Sequence, residues 1–249
     1  MDKRYALILA FLLTALIGST VFLFSGKFQG KEKESVLIVR VIDGDTVVLK
    51  DGRTLRLNNI NAPEKKFYNS NASKEFLSSY LNQEIFLEEQ GYDKYRRVLA
   101  KLYSDDKYLN LELVELGLAS KFLVDPEEAK IFAEAENKSI SLEKGIWKKS
   151  AYFGCFKSSI DTGKEEVILE NSCHSINLNG WTLKDESRKV YKFKNISIGR
   201  IKLHSKKGND NSTDLFWGQS SPDIWNNDQD SIYLFDSRGQ IAHYETYGY

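Results

Sequence analysis

The 249-residue sequence has few residues of the types that bind zinc or build a disulfide framework, with only two cysteines and three histidines. His174, His204 and His243 lack the close spacing of zinc ligands, so surface or core roles are expected for them. Net charge is also absent, because 35 basic side chains balance 35 acidic ones. A nucleic-acid partner must therefore be argued from local sites rather than from a global positive field.

The composition is not that of a disordered chain. Hydrophobic residues make up 41% of the sequence and aromatic residues 12%, enough for one large or two small packed cores. Residues 36–150 mix short β-branched runs with helical patterns. Residues 166–249 contain no good amphipathic helix, and their strand-like runs alternate with Asn, Ser, Asp and Gly. This change in the residue pattern predicts two domains, at 36–150 and 160–249.

The N-terminal residues include an apolar run at 5–24 that carries no charge. A helix of about 20 residues spans about 30 Å, the hydrocarbon thickness of a bilayer. A cleaved signal peptide has a shorter apolar region and a small-residue cleavage site. We therefore favour a transmembrane helix that anchors the chain to the membrane within residues 1–26, followed by a polar linker at 27–35. A cleaved signal is the alternative.

The two cysteines give information about the cellular compartment of the protein. Cys155 and Cys173 lie near the predicted domain junction, and a single pair of this kind suits one disulfide in an oxidising compartment. Two unrelated buried thiols are an almost equally good interpretation. Basic residues flank the apolar run on both sides, so the positive-inside rule does not decide the orientation. The expectation is a membrane-anchored protein with extracytoplasmic domains, or a secreted one.

The pattern of residues 36–150 predicts a small domain that contains both strands and helices. Strands are expected at 36–42, 46–50, 53–60, 84–90 and 97–103, and helices at 72–81, 109–119 and from 125 onward. For the last helix, Asp125 is the predicted N-cap, Pro126 the first helical residue, Glu128 the end of a capping box and Gly145 the terminator. This order is compatible with an OB-type five-stranded barrel with packed helices, and the second domain predicts an all-β sandwich.

Polar residues with a shared chemistry flank the first predicted hairpin. If its strands are neighbours, Asp45, Asn61 and Glu64 converge, and they offer the hard oxygen ligands that calcium prefers. Arg56 projects from the same hairpin, and Arg97 could reach the same place. Two guanidinium groups beside a metal suit a phosphodiester, whose transition state concentrates negative charge on oxygen.

An ordered set of motifs in residues 36–148 resembles the staphylococcal nuclease (thermonuclease) family. The motifs are VIDGDTVVL, LRLNNINAPE, DKYRRVLA, LVELGLA and a final KGIW. The resemblance implies an OB-fold barrel and a calcium-dependent endonuclease that hydrolyses DNA or RNA.

The resemblance also implies roles for individual residues, by motif position. Arg56 and Arg97 would bind and neutralise the phosphate, and Glu64 would act as general base or position the attacking water. The calcium ligands would be Asp45, Asn61 and the backbone carbonyl of Thr46. A terminal phosphate would be contacted by Lys94 and Tyr95.

The sequence departs from the family pattern at three places. Asn61 stands where Asp is more usual, Arg96 stands where Gly is usual, and residues 121–126 lack the tyrosines that stack on the base. These departures leave a second interpretation open, a catalytically weakened nucleic-acid-binding surface protein. A third is a structural surface protein in which the β-sandwich matters and the nuclease fold is a spacer.

The C-terminal residues resemble the lamin-tail domain, an immunoglobulin-like β-sandwich. The resemblance rests on INLNGWTLKDESRKVYKF at 176–193 and DIWNNDQDSIYLFDSRGQIAHYETY at 223–247. It implies an interaction module, and the sequence does not identify its partner. Trp181, Trp217 and Trp225 are expected to pack in the core or in turns.

Overall fold

The computed structural model describes residues 33–64, 70–187, 189–219 and 224–249. The apolar run at 5–24, for which an anchor is predicted, lies outside these residues. Within them, no helix has the length and apolar character that crossing a bilayer requires. Residues Ser35–Tyr249 form one compact unit.

The first half of this unit contains short strands and three helices in its described residues. The strands are β1 (Glu34–Asp43), β2 (Thr46–Leu49), β3 (Thr54–Leu57), β4 (Ile60–Asn61), β5 (Glu84–Tyr92), β6 (Val98–Ser104), β7 (Lys107–Tyr108) and β8 (Ser120–Lys121). The helices are α1 (Ser70–Ser78), α2 (Leu109–Glu115) and α3 (Ala129–Ser141). The five predicted long strands and the three predicted helices are all present.

Strands β3, β2, β1, β5 and β6 pair in that order, and a parallel β3–β6 pairing closes them into a barrel. Alternate side chains point inward and fill the interior, including Ile38, Val47, Leu55, Leu87 and Leu102. The closed five-stranded barrel agrees with the predicted OB-type fold.

Two sequence predictions are wrong in detail. The strand predicted at 53–60 breaks because Asn59 adopts a left-handed conformation with φ 66°. The last helix begins at Ala129 rather than at Pro126, and it ends at Ser141, before Gly145. The predicted cap fails because Lys101 attracts both acidic side chains, at 3.2 Å from the Asp125 carboxylate and 2.9 Å from that of Glu128.

The second half is a sandwich of two four-stranded sheets. The strands are β9 (Phe156–Asp161), β10 (Glu166–Asn171), β11 (Ile176–Asn177), β12 (Thr182–Lys184), β13 (Val190–Lys192), β14 (Ser197–Ile198), β15 (Arg200–His204), β16 (Asp214–Phe216), β17 (Asp230–Phe235) and β18 (Ile241–Tyr247). One sheet has the order β16-β15-β10-β9 and the other β13-β12-β17-β18. Residues of both sheets share one apolar core, among them Leu169, Leu203, Leu183 and Leu234, which agrees with the predicted sandwich.

A disulfide joins Cys155, at the start of the sandwich, to Cys173, with 5.3 Å between their Cα atoms. Of the two interpretations of the cysteine pair, the structure supports the disulfide. Trp181 and Trp225 are buried in the sandwich core, and Trp217 packs against that core, as predicted.

Barrel and sandwich meet through a buried polar network centred on Lys121 in β8. Its ammonium group lies 2.9 Å from the Glu136 carboxylate of α3 and donates to the Ser231 hydroxyl of the sandwich. The Tyr233 hydroxyl, also from the sandwich, donates to Glu136 at 3.0 Å. Ser231 in turn donates to Glu186 at 3.1 Å. All five residues are fully or almost fully buried. Each half of the unit therefore supplies hydrogen-bond partners for buried charged side chains of the other half.

Apolar and backbone contacts extend this junction. Trp147 packs on Tyr233 and Phe235 of β17, with ring centroids 5.3 and 6.5 Å away. The chain that leaves Trp147 then pairs with the start of β18, where the Ser150 amide donates to the Ile241 carbonyl at 2.9 Å. The two halves therefore pack as parts of one structure rather than as separate bodies on a linker.

We expect Lys121→Met to destabilise the protein strongly, because it leaves the buried Glu136 and Glu186 carboxylates without a cation. Loss of one partner from a buried ion pair costs about 3–5 kcal/mol. Denaturant unfolding of the full chain measures the effect. Lys130→Met, at an exposed site on α3, is the control and should change little. An unfolding midpoint equal to that of the unmodified protein would contradict the role assigned to Lys121.

Candidate active site

The turn between β1 and β2 brings Asp45 to the rim of the barrel. Gly44 makes this possible, since a Cβ at its position would lie 2.4 Å from Ser73 Cβ and 2.7 Å from Ala62 Cβ. The Asp45 carboxylate is 1% exposed, and it accepts hydrogen bonds from the Ala62 amide at 2.9 Å and the Thr46 hydroxyl at 3.0 Å. A carboxylate is thus fixed beside the residue that follows Asn61.

Arg56 faces this carboxylate from the neighbouring strand. In the β2–β3 pairing Arg56 lies opposite Thr46, and its Nη2 atom is 3.2 Å from Asp45 Oδ2. Its Nη1 atom donates to the Leu57 carbonyl. Because these contacts fix the plane of a guanidinium group that is 6% exposed, Arg56 is held in one orientation at the rim.

Arg97 is held by Asp93, a residue that the sequence analysis did not single out. The Asp93 carboxylate accepts from the Arg97 amide at 2.9 Å, from its Nε at 2.7 Å and from the Tyr95 amide at 2.8 Å. Burial alone would raise the pKa of Asp93, but these hydrogen bonds lower it below its usual value. Arg97 Nη1 also reaches the Thr46 hydroxyl at 3.4 Å. An aspartate at the start of a turn, four residues before the arginine, was the available signal.

Lys94 and Tyr95 lie on the same turn and are exposed. The Arg97 guanidinium carbon lies 5.5 Å from the centroid of the Tyr95 ring, and the Lys94 ammonium lies 5.2 Å from it. Among the contacts of the described residues, none connects these two side chains to Asp45. The structure therefore places them beside Arg97, at the edge of the rim.

The Asn61 side chain is held by the sandwich. Its amide nitrogen donates to the Ser187 carbonyl at 3.1 Å and lies 3.4 Å from the Glu186 carbonyl. A carboxylate in this place would bring negative oxygen against two carbonyl oxygens. The docked sandwich therefore gives a physical reason for an asparagine at this position.

Glu64 is exposed and follows Asn61 across Pro63. These residues line a cleft of about 590 Å³, whose other wall belongs to the sandwich. Glu64 thus faces a space large enough for a polymer segment, whereas Asp45 is shielded from water. Two carboxylates of the predicted set therefore occupy different environments.

The backbone of Leu123 and Val124, in the segment that lacks the base-stacking tyrosines, also bonds to the sandwich. The Leu123 amide donates to the Glu186 carboxylate at 2.9 Å, and the Val124 carbonyl accepts from Gln229 at 3.0 Å. Burial raises the pKa of Glu186, although Lys121 and the hydrogen bond from the Leu123 amide oppose the rise. The backbone of this segment thus helps to hold the second domain.

The predicted calcium ligands offer the right kind of donor but little charge. Asp45 supplies a carboxylate, Asn61 an amide oxygen and Thr46 a backbone carbonyl, all hard oxygen atoms. Because the Asn61 nitrogen donates to the sandwich, its oxygen is the atom that a cation would contact. Within the described part of the chain, no group of three or more His, Cys, Asp or Glu side chains is arranged to hold a metal ion. The donor set therefore fits a weakly held calcium ion.

Comparison with known proteins agrees with this geometry. Residues 54–149 match the family described as staphylococcal nuclease homologue, and residues 158–249 match the lamin tail domain. An uncharacterized endonuclease of Haemophilus influenzae is 32% identical over 125 residues, covering 47% of this chain and 68% of that protein. The thermonuclease of Staphylococcus intermedius is 34% identical over 130 residues, covering 47% and 77%. The chain belongs to the staphylococcal nuclease family.

Arg96, the second departure from the family pattern, adopts a left-handed conformation with φ 62°. Glycine takes this conformation without the steric cost that a Cβ adds. The turn is nevertheless intact, since the Arg96 amide donates to the Asp93 carbonyl at 3.0 Å. The hydrogen bonds of Asp93 thus hold Arg97 in place despite the positive φ of Arg96.

We expect Arg96→Gly to raise the free energy of unfolding by about 1 kcal/mol, because it removes the cost of a Cβ at positive φ. Denaturant unfolding measures the change. Arg96→Ala removes the same charge but keeps the Cβ, so it should show no such gain. Equal stability of the glycine and alanine variants would mean that the turn is not strained.

We expect Asn61→Asp to destabilise the protein by about 1–3 kcal/mol without calcium, because a carboxylate would then face the carbonyls of Ser187 and Glu186. Added calcium should recover part of this loss, since a ligand that binds only the folded state stabilises it. Thermal unfolding with EGTA and with calcium measures both effects. Asn61→Ala, which adds no charge, should lose less stability and show no calcium recovery. An aspartate variant as stable as the unmodified protein in EGTA would contradict the argument.

Proposed function

We propose that this protein is a calcium-dependent endonuclease that hydrolyses phosphodiester bonds of DNA or RNA. The observation that carries the proposal is the connected set at the rim, in which Asp45 contacts Thr46 and Arg56, and Thr46 contacts Arg97. Membership in the staphylococcal nuclease family, with relatives named endonuclease and thermonuclease, supports a nuclease. Within this proposal, residues 36–150 form the nuclease domain and residues 160–249 the lamin tail domain.

The side chains have separable roles in the proposed reaction. Arg56 and Arg97 neutralise the scissile phosphate, and their orientation is set in advance by Asp45 and Asp93, which avoids reorganisation during the reaction. Glu64 takes a proton from the attacking water or positions it, and exposure to the cleft gives it access to that water. Lys94 and Tyr95, beside Arg97, contact a terminal phosphate.

Calcium would be held by Asp45, the Asn61 amide oxygen and the Thr46 carbonyl, and it would supply positive charge near the phosphate oxygens. The low charge of this set predicts that millimolar rather than micromolar calcium is required.

We place the reaction outside the cytoplasm. The Cys155–Cys173 disulfide supports this location, because such bonds persist in oxidising compartments. A membrane-anchored or secreted protein there would act on nucleic acid in its surroundings.

A catalytically weakened nucleic-acid-binding protein is the second candidate. The observation that favours it is Asn61, which offers calcium no charge and is held by the sandwich. Such a protein would bind an oligonucleotide through Arg97 and the cleft without cutting it.

Hydrolysis of a single-stranded DNA oligonucleotide tests the proposal, with the full chain purified in mild detergent, first in calcium and then in excess EGTA. We expect calcium-dependent cleavage that Glu64→Gln lowers by about 10²–10⁴-fold, the usual contribution of a general base. Glu134→Gln, at an exposed site on α3, is the matched control and should cut normally.

Two results would count against the nuclease. Cleavage by Glu64→Gln at the normal rate would remove Glu64 from the mechanism. Binding without cleavage in millimolar calcium, seen by fluorescence polarisation with folded protein, would favour the second candidate.

A further inference from the structure

The wall of the cleft opposite Glu64 is built by the lamin tail domain. Asn61, Ala62, Pro63 and Glu64 form the nuclease side, and the other side comes from β12, β13 and the turn between β17 and β18. The cleft is therefore shared by the two domains. Its chemistry depends on which side chains the lamin tail domain presents.

The sheet register decides which side chains these are. Leu183 and Tyr191, which are paired across β12 and β13, point into the sandwich core. Because side chains alternate along a strand, the neighbours Thr182, Lys184 and Lys192 point to the opposite face, which lines the cleft. Two lysines thus occupy the outer face of a sheet that meets the nuclease domain.

Lys184 is a cation whose ammonium group packs against aromatic rings. Its ammonium lies 5.4 Å from the ring centroid of Tyr233 and 5.6 Å from that of Phe235. Among the described residues, no carboxylate lies within 4 Å of it. Burial lowers its pKa, although the charges of Asp185 and Glu136 oppose the change. A partly desolvated ammonium of this kind is stabilised when an anion enters the cleft beside it.

Lys192 and Arg238 add positive charge to the same wall, and both are exposed. In the described part of the chain, the acidic residues that line the cleft are Glu64 and Asp236. Asp236 is 4% exposed and accepts a hydrogen bond from Ser150 at 2.7 Å, and Arg238 lies 3.4 Å from it. Because the charges of Asp236 and Arg238 offset each other, the positive charge that the described part of the lamin wall presents toward Glu64 comes from Lys184 and Lys192.

We propose that Lys184 and Lys192 of the lamin tail domain bind backbone phosphates of the nucleic-acid strand on which the nuclease site acts. The lamin tail domain is then the second half of the substrate site. This inference rests on the proposed function for the identity of the strand. Lysine contacts to phosphates are independent of sequence, so the wall would add affinity without base preference.

Salt dependence of binding tests the inference separately from cleavage. A labelled single-stranded DNA oligonucleotide is titrated with the full-length Glu64→Gln protein in EGTA, at several salt concentrations. Each phosphate contact on a single strand contributes about 0.7 to the slope of log affinity against log salt. We expect Lys184→Met and Lys192→Met each to reduce the slope by about 0.7, and both together by about 1.4. Methionine keeps most of the apolar stem of lysine.

Lys157→Met is the matched control, because Lys157 is an exposed lysine on β9 of the other sheet. It removes the same charge from the same domain and should leave the slope unchanged. Lys192→Met tests the wall even if Lys184→Met impairs folding, which thermal unfolding would reveal.

The outcomes separate the two proposals. A slope for the Lys192 variant equal to that of the Lys157 control would overturn the inference, whether or not the protein cuts. A reduced slope in a protein that does not cut would support the phosphate wall and overturn the nuclease. A protein that neither binds nor cuts the oligonucleotide would overturn both.

Discussion

The buried ammonium group of Lys121 is the interaction on which the arrangement of the two domains depends. A buried charge is tolerated only when it is paired and hydrogen-bonded. Lys121 obtains its carboxylate from Glu136 of the nuclease domain, and its hydroxyl contact from Ser231 of the lamin tail domain. Neither domain alone satisfies this group. The free energy of the network therefore favours the docked state of the two domains.

Docking at Lys121 also shapes the active site, because β8 pairs with β4. Lys121 lies opposite Ile60, and Ser120 lies opposite Asn61. The lamin tail domain, which contacts Lys121 through Ser231, also reaches Asn61, whose side-chain amide donates a hydrogen bond to the Ser187 carbonyl. Two departures from the family pattern, at Asn61 and in residues 121–126, thus include residues that hydrogen-bond to the lamin tail domain.

The nuclease domain combines a buried and an exposed carboxylate at the proposed site. Asp45 is surrounded by donors and orients Arg56, whereas Glu64 is exposed to the cleft. Asp93 orients the guanidinium group of Arg97, as Asp45 orients that of Arg56. The two guanidinium groups are in this way positioned before substrate arrives, on a barrel whose strands are rigidly paired. The lamin wall with Lys184 and Lys192 then lies across the cleft from Glu64.

Local patterns in the sequence were sufficient to predict most of the strands and helices and the residues on the nuclease side of the site. Alternation of apolar residues predicted the long barrel strands and the sandwich, and motif order brought Asp45, Arg56 and Arg97 together. The cap at Asp125 and the strand through Asn59 were predicted wrongly, because Lys101 and a left-handed residue override local preference there. Only the tertiary structure decided that the lamin tail domain covers β8, holds Asn61 and forms the second wall of the cleft. Those contacts join residues more than 100 positions apart, such as Asn61 and Ser187, and no local pattern encodes which surfaces meet.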